Sequence, residues 1–75
     1  MNVKQIKFEE TEDIEEFVKA AGQCDFDIDL TYERVVIDAK SILGVLSFGL
    51  SKVLTVKYRG EDAGFEDVVQ KYVIA

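Results

Sequence analysis

The sequence predicts an α+β domain in which strands and helices follow in the order βαββαβα. Two periodicities lead to this fold class. Apolar residues recur at helical spacing in some segments and alternate strictly with polar residues in others. A strand with one apolar and one polar face is typical of an antiparallel sheet covered on one side only. We therefore expect an open-faced β-sandwich, a four-stranded antiparallel sheet with three helices on one face.

The first strand and helix occupy the first 22 residues. Residues 3–8 alternate weakly, with Ile6 and Phe8 on one side. Thr11 is the predicted N-cap of the helix, and the acidic residues after it suit the positive end of a helix dipole. Gly22 is suited to end the helix. The apolar stripe of this helix consists of Ile14, Phe17, Val18 and Ala21.

The clearest strand pattern is CDFDIDLTY, residues 24–32. Its apolar and aromatic residues alternate with aspartates and a threonine, so one face is predicted to lie in the core. Glu33 and Arg34 are predicted to turn the chain into a second strand over residues 35–39, which makes a hairpin. The core-facing residues are Cys24, Phe26, Ile28, Leu30 and Tyr32.

A second helix, a fourth strand and a last helix complete the prediction. Ser41 is the expected N-cap of the second helix. Leu54, Val56 and Tyr58 alternate with polar residues in the strand. The last helix is predicted from the spacing of Phe65, Val68, Val69 and Tyr72. We expect the shared core to contain Phe17, Phe26, Ile28, Val56 and Val68.

Length and composition limit the classes of function. The 75 residues predict a single domain over residues 1–75. A net charge of −6 disfavours nucleic acids and anionic membranes as partners. One cysteine allows no internal disulfide and fits a reducing cytoplasm. No signal peptide is visible, so we expect a cytoplasmic protein.

The second helix is unusual because no residue between Lys40 and Lys52 is charged. A one-sided sandwich can cover only one side of this helix, so part of its apolar surface should face solvent. Such exposed patches usually mark docking sites. The predicted docking residues are Ile42, Leu43, Leu46 and Phe48. The alternative is that neighbouring loops or a homodimer contact covers them.

Metal, cofactor and catalytic sites are not predicted. The spacing of Asp25, Asp27 and Asp29 imitates the start of an EF-hand loop, but Leu30 stands at the required glycine position and Val36 at the closing glutamate position. A solvated strand face explains these aspartates better. Cys24 heads the apolar strand face without any histidine nearby in the sequence, so we expect a buried thiol and not a nucleophile.

The segment DAKSILGVLSFGLSK resembles the regulatory-serine helix of HPr, the phosphocarrier of the bacterial phosphoenolpyruvate-dependent sugar phosphotransferase system. The resemblance extends without gaps back to about Ile14, and forward through the last strand with small length changes, and it implies the same βαββαβα fold. HPr accepts phosphate on a histidine at the start of its first helix, beside a supporting arginine. Glu10 and Glu12 stand at these two places, and the sequence has no histidine.

This replacement predicts that the phosphocarrier reaction is lost, with no catalytic residue and no enzymatic activity. A phosphohistidine needs an imidazole nucleophile and a cation to offset about two negative charges. Ser41 matches the serine that a dedicated kinase phosphorylates in HPr of many Gram-positive bacteria. It is therefore a candidate regulatory phosphorylation site, and the alternative is that it only caps the helix.

The predicted function is a non-catalytic HPr-like protein of the phosphotransferase system or its regulation. It would bind proteins through residues 41–50, among them a serine kinase or a carbon-regulation protein, and would need no cofactor. Two alternatives stay open: a phosphocarrier with an acceptor other than histidine, and an interaction domain unrelated to sugar transport.

Overall fold

The computed structural model describes residues 1–74 and contains four strands and three helices in the predicted order. The strands are β1 (Asn2–Lys7), β2 (Ile28–Tyr32), β3 (Val35–Asp38) and β4 (Val53–Tyr58). The helices are α1 (Thr11–Gly22), α2 (Ile42–Phe48) and α3 (Ala63–Tyr72). None of these helices has the length and apolar character needed to cross a membrane.

The four strands form one antiparallel sheet in the spatial order β1-β4-β2-β3. The last strand in sequence therefore lies at the centre of the sheet, between β1 and β2. Leu54 pairs with Ile6 on one side, and Val56 pairs with Leu30 on the other. The edges of the sheet are β1 and β3. The expected antiparallel sheet is confirmed, and its central strand is one whose alternation predicted a buried face.

The core lies on one face of the sheet. Ile6, Leu30 and Val56 are fully buried, whereas Val3 and Lys57, which alternate with them, are exposed. The helices cover the buried face, and an aromatic cluster forms between them, the sheet and the loop after β1, with ring centres of contacting pairs 5.1 to 5.7 Å apart. Its members are Phe8, Phe17, Tyr58, Phe65 and Tyr72. The opposite face is open, as the alternation predicted.

Three expectations about strand and helix details were wrong. The strand predicted from residue 24 begins only at Ile28, and residues 24–27 form a bend that leads into it. Phe26 is half-buried and stacks on Tyr58 with ring centres 5.9 Å apart, so it covers the edge of the core. On α3 the fully buried valine is Val69, and Val68 is half-buried, because the helix turns the Phe65–Val69 stripe toward the sheet.

Candidate functional site

The start of α1 is an acidic segment that uses its own carboxylate to complete the helix end. The N-cap is Glu10, with φ −128° and ψ 153°, and Thr11, the predicted cap, is the first helical residue. The Asp13 carboxylate accepts hydrogen bonds from the backbone N–H groups of Glu9 at 3.2 Å and Glu10 at 3.0 Å. These amides at the positive end of the helix therefore already have an anionic partner.

The loop before α1 is tied to the loop after α2. The Ser51 backbone N–H donates to the Phe8 carbonyl at 2.7 Å, and its hydroxyl donates to the Glu9 carboxylate at 3.2 Å. Ser51 holds a positive φ of 62°, which is uncommon for a residue other than glycine. Nothing in the sequence pattern indicated this role for Ser51, because the contact joins loops 42 residues apart.

The charge at this site opposes phosphate. Glu9, Glu10, Glu12 and Asp13 lie within five positions of the chain, and the Lys7 ammonium reaches only Glu9, at 3.6 Å. That ion pair is exposed, so water weakens it. Glu10 and Glu12, the residues predicted to stand at the places of the family's histidine and arginine, are both exposed. The negative charges of this segment disfavour a phosphoryl group beside it.

The start of α2 has a different chemistry. Ser41 is its N-cap as predicted, and the Ser41 hydroxyl oxygen accepts the Gly44 N–H at 3.2 Å. Ser41 is exposed. The ammonium of the neighbouring Lys40 keeps its charge and donates to the Cys24 carbonyl at 3.0 Å. No residue of α2 itself carries a charge.

The outward side of α2 is apolar, as its sequence predicted, with one correction. Ile42, Leu43 and Leu46 are exposed, and Leu43 has 78% of its surface accessible. Phe48 was expected on this side, but only 5% of it is accessible, and its ring lies edge-on to Tyr32 with centres 6.1 Å apart. Phe48 follows the buried Val45 by three positions, so both side chains lie on the inner stripe of the helix.

Two further apolar side chains are exposed after the helix. Leu50 follows α2, and Val53 begins β4, where it alternates with the buried Leu54 and so lies on the open face of the sheet. The outer apolar surface is therefore defined here by the exposed residues of α2 alone, Ile42, Leu43 and Leu46.

The two glycines of the α2 segment have structural roles. A Cβ atom at Gly44 would lie 2.6 Å from Cγ2 of Ile37, so glycine lets the helix approach β3 closely. Gly49 has φ 79° and is the C-cap, where its N–H donates to the Leu46 carbonyl at 3.0 Å. Gly49 therefore ends the helix.

The remaining candidates for a chemical site are the acidic side chains and Cys24. Within residues 1–74, no three acidic, cysteine or histidine side chains are grouped so that they could hold a metal ion. Cys24 is buried and its thiol donates to the Ala20 carbonyl at 3.6 Å. Burial, and to a lesser extent the Asp62 carboxylate, raise the pKa of this thiol, which disfavours the reactive thiolate.

A known protein family matches most of this chain. Residues 11–71 match the family model described as PTS HPr component phosphorylation site. The chain belongs to the HPr family. HPr proteins are phosphocarriers, not enzymes in themselves, and they interact with other proteins of the phosphotransferase system. The matched segment starts at Thr11, directly after the N-cap Glu10, and includes Ser41 and the whole of α2.

Solved HPr structures share the fold. HPr-C-His from Thermoanaerobacter tengcongensis superposes with a TM-score of 0.76 at 22% identity, over 95% of this chain and 93% of that one. The phosphocarrier protein HPr from Bacillus anthracis str. Ames gives a TM-score of 0.73 at 21% identity, over 95% of both chains. These likenesses establish the HPr fold for this chain and leave its role to the residues of the site.

Proposed function

We propose that this HPr-family protein acts in the phosphotransferase system or its regulation by binding other proteins, without carrying phosphate itself. The observation that carries the proposal is the start of α1. By the resemblance, Glu10 and Glu12 match the places of the family's histidine and arginine, and the Asp13 carboxylate accepts hydrogen bonds from the N–H groups of Glu9 and Glu10. A phosphoryl group there would meet several negative charges and no nucleophilic imidazole.

The outer apolar surface is the proposed binding surface. Most of the Leu43 side chain is exposed to solvent, and it lies on a helix without charged residues. Burying a side chain of this kind contributes about 1.5–3 kcal/mol to an association. A binding surface of this type needs no cofactor and no metal, and the acidic net charge of the chain makes a protein a better partner than nucleic acid or an anionic membrane.

Ser41 is the proposed regulatory phosphorylation site at the edge of this surface. Ser41 is exposed and its hydroxyl caps α2, and by the resemblance it matches the family's regulatory serine. A phosphate would add about two negative charges beside Ile42 and Leu43, which would favour one class of partner and exclude another. A serine kinase would phosphorylate Ser41, and a protein of carbon regulation would bind the phosphorylated form.

The test of the central claim is phosphoryl transfer. We expect no acid-labile phosphate on the protein after incubation with phosphoenolpyruvate and the general phosphotransferase enzyme, measured by intact mass. An HPr that contains the histidine serves as positive control in the same reaction. Stoichiometric uptake would contradict the proposal. If Glu10→Gln then abolished that uptake, the chain would be a phosphocarrier with a carboxylate acceptor.

A further inference from the structure

The strand β3 is an open edge of the sheet and carries two exposed valines. Within residues 1–74 it pairs only with β2. Val35 and Val36 are exposed there, and 61% of the Val36 surface is accessible. An open edge is a template for another strand, and natural proteins usually limit it with a very short strand, charged side chains, proline or a bulge. β3 is short, with four residues, and carries Asp38 at its end, but it has no proline and no lysine.

The hydrogen-bond pattern shows which backbone groups face outward. The Ala39 N–H donates to the Ile28 carbonyl at 2.9 Å, which marks these two residues as a hydrogen-bonded pair. Bonded and non-bonded pairs alternate in an antiparallel ladder, so Val36, opposite Thr31, belongs to a non-bonded pair. The N–H and C=O of Val36 therefore point to the open edge. The Asp38 carbonyl also points outward, because it accepts the Ser41 N–H at 3.0 Å.

The sequence around Val36 is complementary to itself. Only outward-facing residues can pair across the open edge, which restricts a β3–β3 pairing to registers centred on one residue. Centred on Val36, two copies bring the two Val36 residues together, and Arg34, the last residue of the turn before β3, comes to the end of the pairing beside Asp38 of the other copy. Centred on Ile37, the same pairing places Arg34 opposite Lys40, which are like charges, and centred on Val35 it leaves Arg34 opposite Val36.

The two charges of this register are available in the single chain. Arg34 forms no ion pair within residues 1–74, and it is exposed. Asp38 uses one carboxylate oxygen for the Lys40 N–H at 2.9 Å and meets no side-chain cation in the described chain. Opposite charges directly across two strands stabilise their pairing, and like charges weaken it.

We propose that two copies of this chain associate through antiparallel pairing of β3 with β3, with the two-fold axis at Val36. The two Val36 residues exchange a pair of backbone hydrogen bonds, and an Arg34–Asp38 ion pair forms at each end of the β3–β3 interface. Val35 faces Ile37 of the second copy on the helix side of the sheet. The result is a continuous eight-stranded sheet. Because β3 has only four residues, the interface is small and we expect a dissociation constant in about the micromolar to millimolar range.

The test is sedimentation velocity of the 75-residue chain over a concentration series, with charge reversal at each end of the register. Arg34→Glu and Asp38→Lys should each weaken self-association about tenfold or more, because two attractive pairs become repulsive. Mixed in equal amounts, the two variants should dimerise again. The glutamate introduced in one variant then faces the lysine introduced in the other, and an unchanged Arg34–Asp38 pair forms at the opposite end. Circular dichroism of each variant confirms that it is folded.

A matched proline pair identifies the edge. Val36→Pro removes the N–H at the centre of the proposed interface, where it has no partner in the single chain. Val3→Pro removes the corresponding N–H at the other edge of the sheet. The Gln5 carbonyl points away from β4, because it accepts the Ile74 N–H at 3.0 Å. Backbone groups of alternate residues point the same way, so those of Val3 also point away from β4. Val36→Pro should abolish the dimer, and Val3→Pro should leave it unchanged.

Three results would overturn the proposal. The first is a monomer at every concentration, which would leave the β3 edge for an extended segment of another protein. The second is a dimer that survives both charge reversals and Val36→Pro. The third is a pair of weakened charge variants that fail to associate when mixed. None of these results bears on phosphoryl transfer, so the proposed function stands or fails separately.

Discussion

Helices α1 and α2 pack on the same side of the sheet but differ in what they present to solvent. α1 buries Ile14, Phe17 and Ala21 and carries acidic residues along its exposed side. α2 buries Val45 and Phe48, and its exposed side has no charge. α1 is also held by polar contacts, because Glu16 accepts hydrogen bonds from Lys71 at 2.7 Å and from the Tyr72 hydroxyl.

The two helices therefore differ in what they could bind. The start of α1 is acidic, and its backbone N–H groups already have the Asp13 carboxylate as a partner. The exposed side of α2 is apolar, and Leu43 in particular is largely accessible to solvent. Exposed apolar patches of this kind are typical of binding surfaces, which is why the proposal assigns one here. The three experiments below test this contrast.

The largest expected effect is on the inner side of α2. Replacing Phe48 by Ala should lower the free energy of unfolding by about 3–5 kcal/mol, because a buried aromatic side chain is lost and a cavity remains. Leu43→Ala is the matched control on the same helix and should change it by about 0.5 kcal/mol or less. Chemical denaturation of both variants measures the difference. Equal losses would show that α2 is not divided into an inner and an outer side.

The next effect concerns binding and is expected for Leu43→Glu. The variant should unfold within about 1 kcal/mol of the parent protein, as surface changes usually do. Its affinity for a partner isolated from the source cell should fall at least about tenfold, because an unpaired charge would be buried in the interface. The same assay with Ser41 phosphorylated should change the set or the affinity of partners.

Two results would contradict that prediction. A variant that does not fold would show that Leu43 is buried, and unchanged binding of every partner would move the binding surface away from α2. Ser47→Ala serves as the control for the phosphorylation arm, because Ser47 is an exposed serine on the same helix. Partners without any link to the phosphotransferase system would favour an interaction domain unrelated to sugar transport.

The smallest effect is the pH dependence of the contacts between α1 and α3. The hydrogen bonds from Lys71 and Tyr72 lower the pKa of Glu16 below its ordinary 4.5. A carboxyl group whose pKa is lowered by folding stabilises the protein at pH values above its unfolded-state pKa. That contribution is lost as the pH falls through the folded-state pKa. Burial, with the hydrogen bond to Glu16, raises the pKa of Tyr72, so its contribution is lost as the pH rises through its folded-state value.

Thermal unfolding across the pH range checks this expectation. Glu16→Gln should flatten the decline of the melting temperature on the acid side. Glu15→Gln is the control, because Glu15 is exposed and forms no ion pair in the described chain. Its pH profile should be the same as that of the parent protein. The effect is small because exposed ion pairs contribute little. Identical profiles for both variants would show that Glu16 does not hold α1 to α3 in solution.

The sequence by itself determined the order of the elements and most of the core. Strict alternation marks a half-buried strand and 3.6-residue spacing marks a half-buried helix, so Ile28, Leu30, Phe17 and Val56 could be assigned to the core without a structure. The resemblance of the α2 segment gave the family, and the absence of histidine is visible in the sequence alone.

Only the tertiary structure decided which residues of a short apolar helix face outward and which strands lie at the edges. Seven helical residues make about two turns, too few for periodicity to separate Phe48 from Leu46, and the position of β3 and Tyr32 settles it. The contact of Ser51 with Glu9 and the open edge at Val36 depend on which distant segments meet, and spacing along one segment carries no information about such contacts.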